Sequence, residues 1–393
     1  MLVIHIISAL ILSQTPAAEA EKTLTEAKPV APEFVSILRN TEKTMDALQN
    51  FSVTARVSSS LESAVQKQAS TSTQKISVSR PTGKVFISAD WAQLGESQER
   101  PQLRVLLDGN RLTTYFVPQR LYSLHEGKNA AEELAGEAII ASTLEGSGLH
   151  VLTMPEMAGF VISHTEEAKA LGTETIDGIA CQKFDVNFSG LKISMWFGPG
   201  DAPLLRQMSE KTVIAAGEKG QVTSSRVAKL AWDTTSPVAD SAFRLELPAN
   251  GRKVNNILET LSQAGQQSPV GKAAPAIELQ GADGTKILPA NWQGRRMTLI
   301  FWATWMNNPE DALKIAARLN ATAKEAVSVL LVNVGESPAK AESVLNSVKG
   351  LPKCLFDMDE DLAIALQLQG IPSVVEISEK GEVVAVKAGL PTP

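Results

Sequence analysis

Alternating apolar and polar positions dominate the chain from residue 34 to 248. The stretch opens with Phe34, Ile37, Leu38, Thr41, Met45 and Leu48 at helical spacing, which predicts an amphipathic helix. Period-two segments follow at Phe51–Val57, Lys75–Ser79, Lys84–Ala89, Leu103–Leu107, Arg111–Val117 and Leu121–Leu124. A mostly helical stretch is expected from Ala130 to Phe160. Strands resume at Thr173–Ile176, Ile179–Phe188, Lys192–Phe197, Leu204–Glu210, Lys211–Ala216 and Ser225–Trp232. Asp108-Gly109-Asn110, Asp177-Gly178 and Ser189-Gly190 are hairpin turn signals between them. The pattern predicts an α+β domain built on a long antiparallel meander.

The pattern changes after residue 248. Val254, Ile257, Leu258 and Leu261 recur at helical spacing within a linker expected at 249–270, and Gly265 to Pro269 breaks that helix. Met297–Ala303 and Val327–Asn333 are short continuous apolar runs, as expected of strands buried on both faces. Val374–Ile377 and Glu382–Ala388 form a closing hairpin around Lys380-Gly381. Asn308-Pro309-Glu310-Asp311 is a helix start, with a capping asparagine, proline at the first position and acids facing the dipole.

Residues Phe301-Trp302-Ala303-Thr304-Trp305-Met306-Asn307-Asn308-Pro309 resemble the F-W-A-x-W-C-x-x-C segment of thioredoxin-superfamily reductases of the TlpA/ResA kind. Gly271 to Leu279 is similar to that family's G-x-x-A-P-x-F-x-L opening, and Gly370-Ile371-Pro372-Ser373 to its G-x-P-T. The resemblance implies an α/β thioredoxin-like fold over 271–393, with Pro372 cis beside the site and the usual last helix lacking. It also implies that Met306 and Pro309 stand where the two redox cysteines belong. A dithiol needs two thiols that attack and are attacked in turn, which a thioether and a pyrrolidine ring cannot do. Trp305, Met306, Pro309 and Pro372 are therefore degenerate redox-site positions, and their groove is a candidate for holding an extended segment without chemistry.

The first domain, 34–248, is similar in the order of its marks to outer-membrane lipoprotein carriers of the LolA/LolB kind. The marks are Leu48 to Ser52, Leu107 to Leu112, Tyr122, Gly172 to Phe184, Met195-Trp196-Phe197 and Phe243 to Pro248. That resemblance implies a curved sheet forming an incomplete barrel with helices at its mouth. The interior would receive an acyl chain, a lipid or a lipopeptide. A sheet filled by its own side chains reads the same way in sequence.

Two cysteines, Cys181 and Cys354, lie far apart. Three readings stay open for them: small buried hydrophobes, an interdomain disulfide, or reactive thiols. The four histidines are scattered, and no residue set has metal-ligand spacing, so neither a metal nor a cofactor is expected. Leu2–Leu12 has signal-peptide length, and Ala18-Glu19-Ala20 fits the cleavage rule, so export with cleavage after Ala20 is expected, without a membrane span thereafter. Residues 21–33 read as a flexible tail. Net charge is −6 without a basic stripe, which speaks against nucleic-acid binding. The expectation is an exported, non-catalytic binding or scaffold protein whose partners are an apolar ligand and an envelope protein. The alternative is a thiol-disulfide or peroxide oxidoreductase acting through a non-standard cysteine.

Overall fold

The computed structural model describes residues 30–390 except 63–66, 94–98, 155, 216–220, 267, 288–293, 307, 324–326 and 369. The expected signal peptide lies outside the described residues. The chain divides into two compact units near Leu258 and Glu259.

The N-terminal unit opens with helix α1 (Pro32–Ala47). Pro32 supplies the fixed φ of a first helical turn, and Phe34, Ile37, Leu38, Thr41 and Met45 form the buried stripe. Within the stretch read as a tail, Val30 forms a parallel bridge to Ala168 and Pro32 already begins the helix. Arg80 ends the helix by donating from Nε to Leu48 O at 2.9 Å and from Nη2 to Met45 O at 3.0 Å. Those bonds satisfy carbonyls that have no partner within the helix.

Among the described residues, one sheet of twelve strands organises this unit. The strands are β1 (Asn50–Glu62), β2 (Lys67–Ser79), β3 (Lys84–Gln93), β4 (Arg100–Asp108), β5 (Arg111–Phe116) and β6 (Leu121–Glu126), then β7 (Thr165–Ile176), β8 (Ile179–Phe188), β9 (Leu191–Phe197), β10 (Leu205–Ala215), β11 (Gln221–Asp233) and β12 (Arg252–Lys253). Their order is β12-β6-β5-β4-β3-β2-β1-β11-β10-β9-β8-β7, so the first strand is central and the second meander returns to pair with it. Short helices α2 (Ala130–Gly136), α3 (Ala138–Thr143) and α4 (Met157–Ser163) interrupt the two meanders.

Turn chemistry explains the register. Ile176 pairs with Ile179 around Asp177 (φ 48°) and Gly178 (φ 83°). Phe188 pairs with Leu191 around Ser189 (φ 48°) and Gly190 (φ 81°). Two successive positive φ values match the right-handed strand twist, which is why short polar residues and glycine stand there. Two expectations are corrected. Leu204–Glu210 and Lys211–Ala216 are one continuous strand, β10, because Glu210-Lys211-Thr212 keeps the ladder to β11 unbroken. The first linker residues add β12 parallel to β6 rather than leaving the sheet.

Helix α5 (Ile257–Gln266) follows, continuing past Gly265. The C-terminal unit contains β13 (Leu279–Gly281), β14 (Lys286–Ile287), β15 (Arg296–Trp302), α6 (Pro309–Thr322), β16 (Val327–Val334), α7 (Pro338–Leu345), β17 (Cys354–Asp357), α8 (Asp361–Ala365), β18 (Ser373–Ile377) and β19 (Val383–Ala388). Strand order is β14-β13-β17-β16-β15-β18-β19, with β15, β16 and β17 parallel and β18 and β19 antiparallel additions. Both faces carry apolar clusters. Leu299, Phe301, Val332 and Val375 centre one, and Ile300, Trp302, Leu313 and Leu331 centre the other. The two buried faces explain why β15 and β16 read as unbroken apolar runs.

Candidate functional site

In the C-terminal unit the expected site residues gather at the end of β15. The turn after Trp302 leads into α6, with Pro309 at its first position. Asn308 departs from the expected cap: it adopts a left-handed conformation (φ 52°, ψ 62°), makes no side-chain capping bond, and uses its carbonyl to accept from Asp311 N at 3.1 Å. Asparagine tolerates that conformation better than most residues, so the sequence signal was right for the turn and wrong for the bond. Ser373 pairs with Phe301, which sets Pro372 at the level of Trp302, and the Ile371–Pro372 bond is cis.

Met306 is 6% exposed and belongs to the apolar cluster with Trp302, Ala312 and Leu313. Trp305 is half-buried against the same cluster. The position therefore holds a packed thioether, with no nucleophile presented to solvent.

Beneath the turn lies a carboxylate that sequence reading overlooked. The Glu336 side chain is fully buried, whereas Lys340, its ion-pair partner at 3.1 Å, is largely exposed. Glu336 accepts from Thr304 N at 2.7 Å, Thr304 Oγ1 at 2.5 Å and Asn333 Nδ2 at 3.0 Å. Burial pushes its pKa up, but these hydrogen bonds together hold the carboxyl below its ordinary range. The Gly335-Glu336 step just after an apolar run was the available signal. What sequence did not give was burial.

Both cysteines are free thiols. Cys181 is fully buried beside Ile176 and Trp196, and burial raises its pKa. Cys354 begins β17, and burial pushes its thiol up to about 12, with the Trp302 indole lowering it only in part. A thiol in that state is almost wholly protonated near neutrality and is a poor nucleophile.

The N-terminal unit holds an apolar pocket of about 70 Å³. It lies between α1 (Leu38, Thr41), the Gly148–Leu152 segment, α4 (Met157, Val161) and strands β8, β9 and β10 (Val186, Phe188, Ile193, Met195, Phe197, Leu205, Met208). The hydroxyl of Thr41, its one polar side chain, is committed to Ile37 O at 2.8 Å. A pocket without a free hydrogen-bonding group stays dry or takes hydrocarbon. At the end of the loop from α3, Arg226 Nη1 meets Glu145 Oε1 at 2.9 Å and Glu210 Oε2 at 3.5 Å. Among the described residues, no group of three or more His, Cys, Asp or Glu side chains is placed to hold a metal ion.

A family model described as a predicted periplasmic protein, DUF2092, matches residues 35–256, more than half of the chain. The chain belongs to the DUF2092 family. Thiol-disulfide oxidoreductase ResA of Bacillus subtilis (strain 168) is 28% identical over 131 residues, 33% of this chain and 73% of the relative. Two solved structures are similar over 30% of this chain. The exposed lipoprotein thioredoxin Etrx1 of Streptococcus pneumoniae strain TIGR4 is 24% identical, with 90% of it covered and a TM-score of 0.27. A thiol-disulfide oxidoreductase of Bacteroides fragilis NCTC 9343 is 20% identical, with 91% covered and a TM-score of 0.28. The strand order and the ResA relative together make the C-terminal part a thioredoxin-like domain, joined to the DUF2092 domain. Among the described residues no helix is long and apolar enough to cross a membrane.

Proposed function

We propose that this DUF2092 protein is an exported, non-catalytic binding protein. Its first domain holds an acyl chain, lipid or lipopeptide, and its thioredoxin-like domain is a redox-inactive docking module for an envelope protein. The observation that carries the second half is Met306, a buried thioether at the head of α6 where the family resemblance places an attacking cysteine. The apolar pocket between α1, α4 and β8–β10 supports the first half. In the same reading the twelve-stranded sheet curves into an incomplete barrel of the lipoprotein-carrier kind, with α1 and α4 at its mouth. Export is supported by the leader-like first twenty residues and the periplasmic description of the family.

A second reading has one observation in its favour, the identity to a thiol-disulfide oxidoreductase. On that reading Cys354 or Cys181 exchanges disulfides without a partner in its own loop. Turnover in a disulfide-reduction assay with the full chain separates the two. The binding reading expects background rates for the wild type and for the Cys181→Ser, Cys354→Ser double variant alike. Turnover above background that disappears in the double variant would replace it with the enzymatic reading.

A further inference from the structure

A second cavity of the first domain, about 380 Å³ in volume, is lined by both apolar and charged side chains. It lies between strands β3, β4 and β5 and the chain segment 244–246. Register pairs Arg104 of β4 with Tyr115 of β5, so both side chains rise from one face of the sheet. The face that carries Met208 runs through Val57 and Val53 to Val105, whose side chain points away from that of its neighbour Arg104. The cavity is therefore on the opposite side of the sheet from the apolar pocket, and the two sites are independent.

Phe86, Val117 and Leu245 give the cavity apolar walls. One of its charges is already settled. Arg104 donates from Nη2 to Asp90 Oδ1 at 2.6 Å, and from Nη1 to Leu103 O at 2.8 Å and Ala89 O at 3.2 Å. Three other lining groups are unsatisfied. Tyr115 is only 8% exposed, yet its hydroxyl makes no hydrogen bond among the described residues. Burial raises its pKa, and Arg120 lowers it only in part, so near neutrality the hydroxyl keeps its proton and can donate. A buried hydroxyl without a partner costs free energy that a ligand recovers. At the rim stand Arg244 and Glu246, exposed, two residues apart, and without an ion-pair partner among the described residues.

We infer that this cavity is a binding site for a small zwitterion with an apolar body, an apolar or aromatic α-amino acid. Arg244 and the Tyr115 hydroxyl take the carboxylate, Glu246 takes the ammonium, and the side chain lies against Phe86, Val117 and Leu245. A guanidinium meets a carboxylate through charge-assisted hydrogen bonds, which are the strong ones. A plain anion would leave Glu246 opposing it, and a plain cation would leave Arg244 opposing it, whereas a zwitterion answers both. The cavity volume falls within the roughly 300–1,000 Å³ of small-molecule sites. The site does not rest on the apolar-ligand reading.

Isothermal titration calorimetry of the full-length protein with L-phenylalanine tests the assignment. The expected result is saturable binding of one amino acid per chain. 3-Phenylpropionate, which lacks the ammonium, and phenethylamine, which lacks the carboxylate, each bind at least about tenfold more weakly. Tyr115→Phe removes only the unpartnered hydroxyl, so the fold is kept, and it weakens binding of L-phenylalanine at least about tenfold. Arg244→Gln, at the exposed rim, does the same. In Glu246→Gln the preference for L-phenylalanine over 3-phenylpropionate disappears. No saturable binding, equal wild-type affinity for L-phenylalanine and 3-phenylpropionate, or unchanged affinity in the Tyr115→Phe, Arg244→Gln double variant each overturns the assignment. Binding that is lost in Val186→Trp but kept in Tyr115→Phe would place the amino acid in the apolar pocket and sink this site.

Discussion

Methionine closes one region of this molecule and leaves another open. At the head of α6, Met306 is wedged among Trp302, Ala312 and Leu313 and fills the position that the thioredoxin resemblance gives to a thiol. In the first domain Met157, Met195 and Met208 line a pocket that their own side chains do not fill. The difference lies in the surroundings. Met306 sits where a parallel strand, a helix start and a second sheet-covering helix converge. The other three sit where one sheet face meets α1, the short helix α4 and a loop with Gly146 and Gly148 at positive φ (79° and 74°). A flexible thioether conforms to either environment, so the residue type alone does not tell packing from binding.

The largest effect that sharpens this contrast is expected from Phe34→Ala. Phe34 is fully buried and its ring lies tilted against Phe184 at 5.3 Å between ring centroids, anchoring α1 beside the pocket. Its truncation is expected to cost about 3–5 kcal/mol. Urea unfolding of the full chain would show it as an earlier transition of the first domain, with loss of apolar-probe binding. Met306→Ala tests the other side, with an expected cost of roughly 2–5 kcal/mol from the cavity left in the thioredoxin-like core. A surface-like cost below ~0.5 kcal/mol would mean that Met306 does not fill that core.

Glu336 gives a smaller, pH-dependent effect. Its folded pKa lies below the ordinary 4.5. It therefore contributes stability that is present above that ordinary value and is lost as pH falls through the depressed folded value. Glu336→Gln removes the charge from the Thr304, Asn333 and Lys340 donors and is expected to cost roughly 1–3 kcal/mol at neutral pH. Thermal unfolding from pH 7 down to pH 3 would show the wild-type advantage shrinking with acid. A constant difference across that range would show that the carboxylate is not responsible. Val186→Trp is expected to cost a similar amount, about 1–3 kcal/mol from overpacking, yet it should abolish apolar-probe binding by filling the pocket.

Most of the element order was legible in sequence because alternation and turn chemistry agree over the first domain. Asp177-Gly178 and Ser189-Gly190 need positive φ at both positions, and the strands around them had to end there. β10 reads in sequence as two segments, Leu204–Glu210 and Lys211–Ala216, and only its ladder to β11 joins them. The Arg252–Lys253 strand is too short to carry a period. At the sites, Trp305, Met306, Pro309 and Pro372 were visible as a motif. Glu336 was not, because nothing in Gly335-Glu336-Ser337 distinguishes a buried acid from a solvated one. The meeting of Met195 and Met208 was hidden for a different reason: they lie thirteen positions apart across a turn, and only strand register makes them neighbours.

The central claim is that the first domain carries an apolar ligand while the thioredoxin-like domain carries no redox chemistry. Native mass spectrometry of the mature protein, purified gently from its own envelope fraction and followed by organic extraction, tests it most directly. The account predicts one co-purifying lipid or lipopeptide per chain, absent from the Val186→Trp variant. A clean apoprotein mass for the wild type under the same gentle conditions would contradict it.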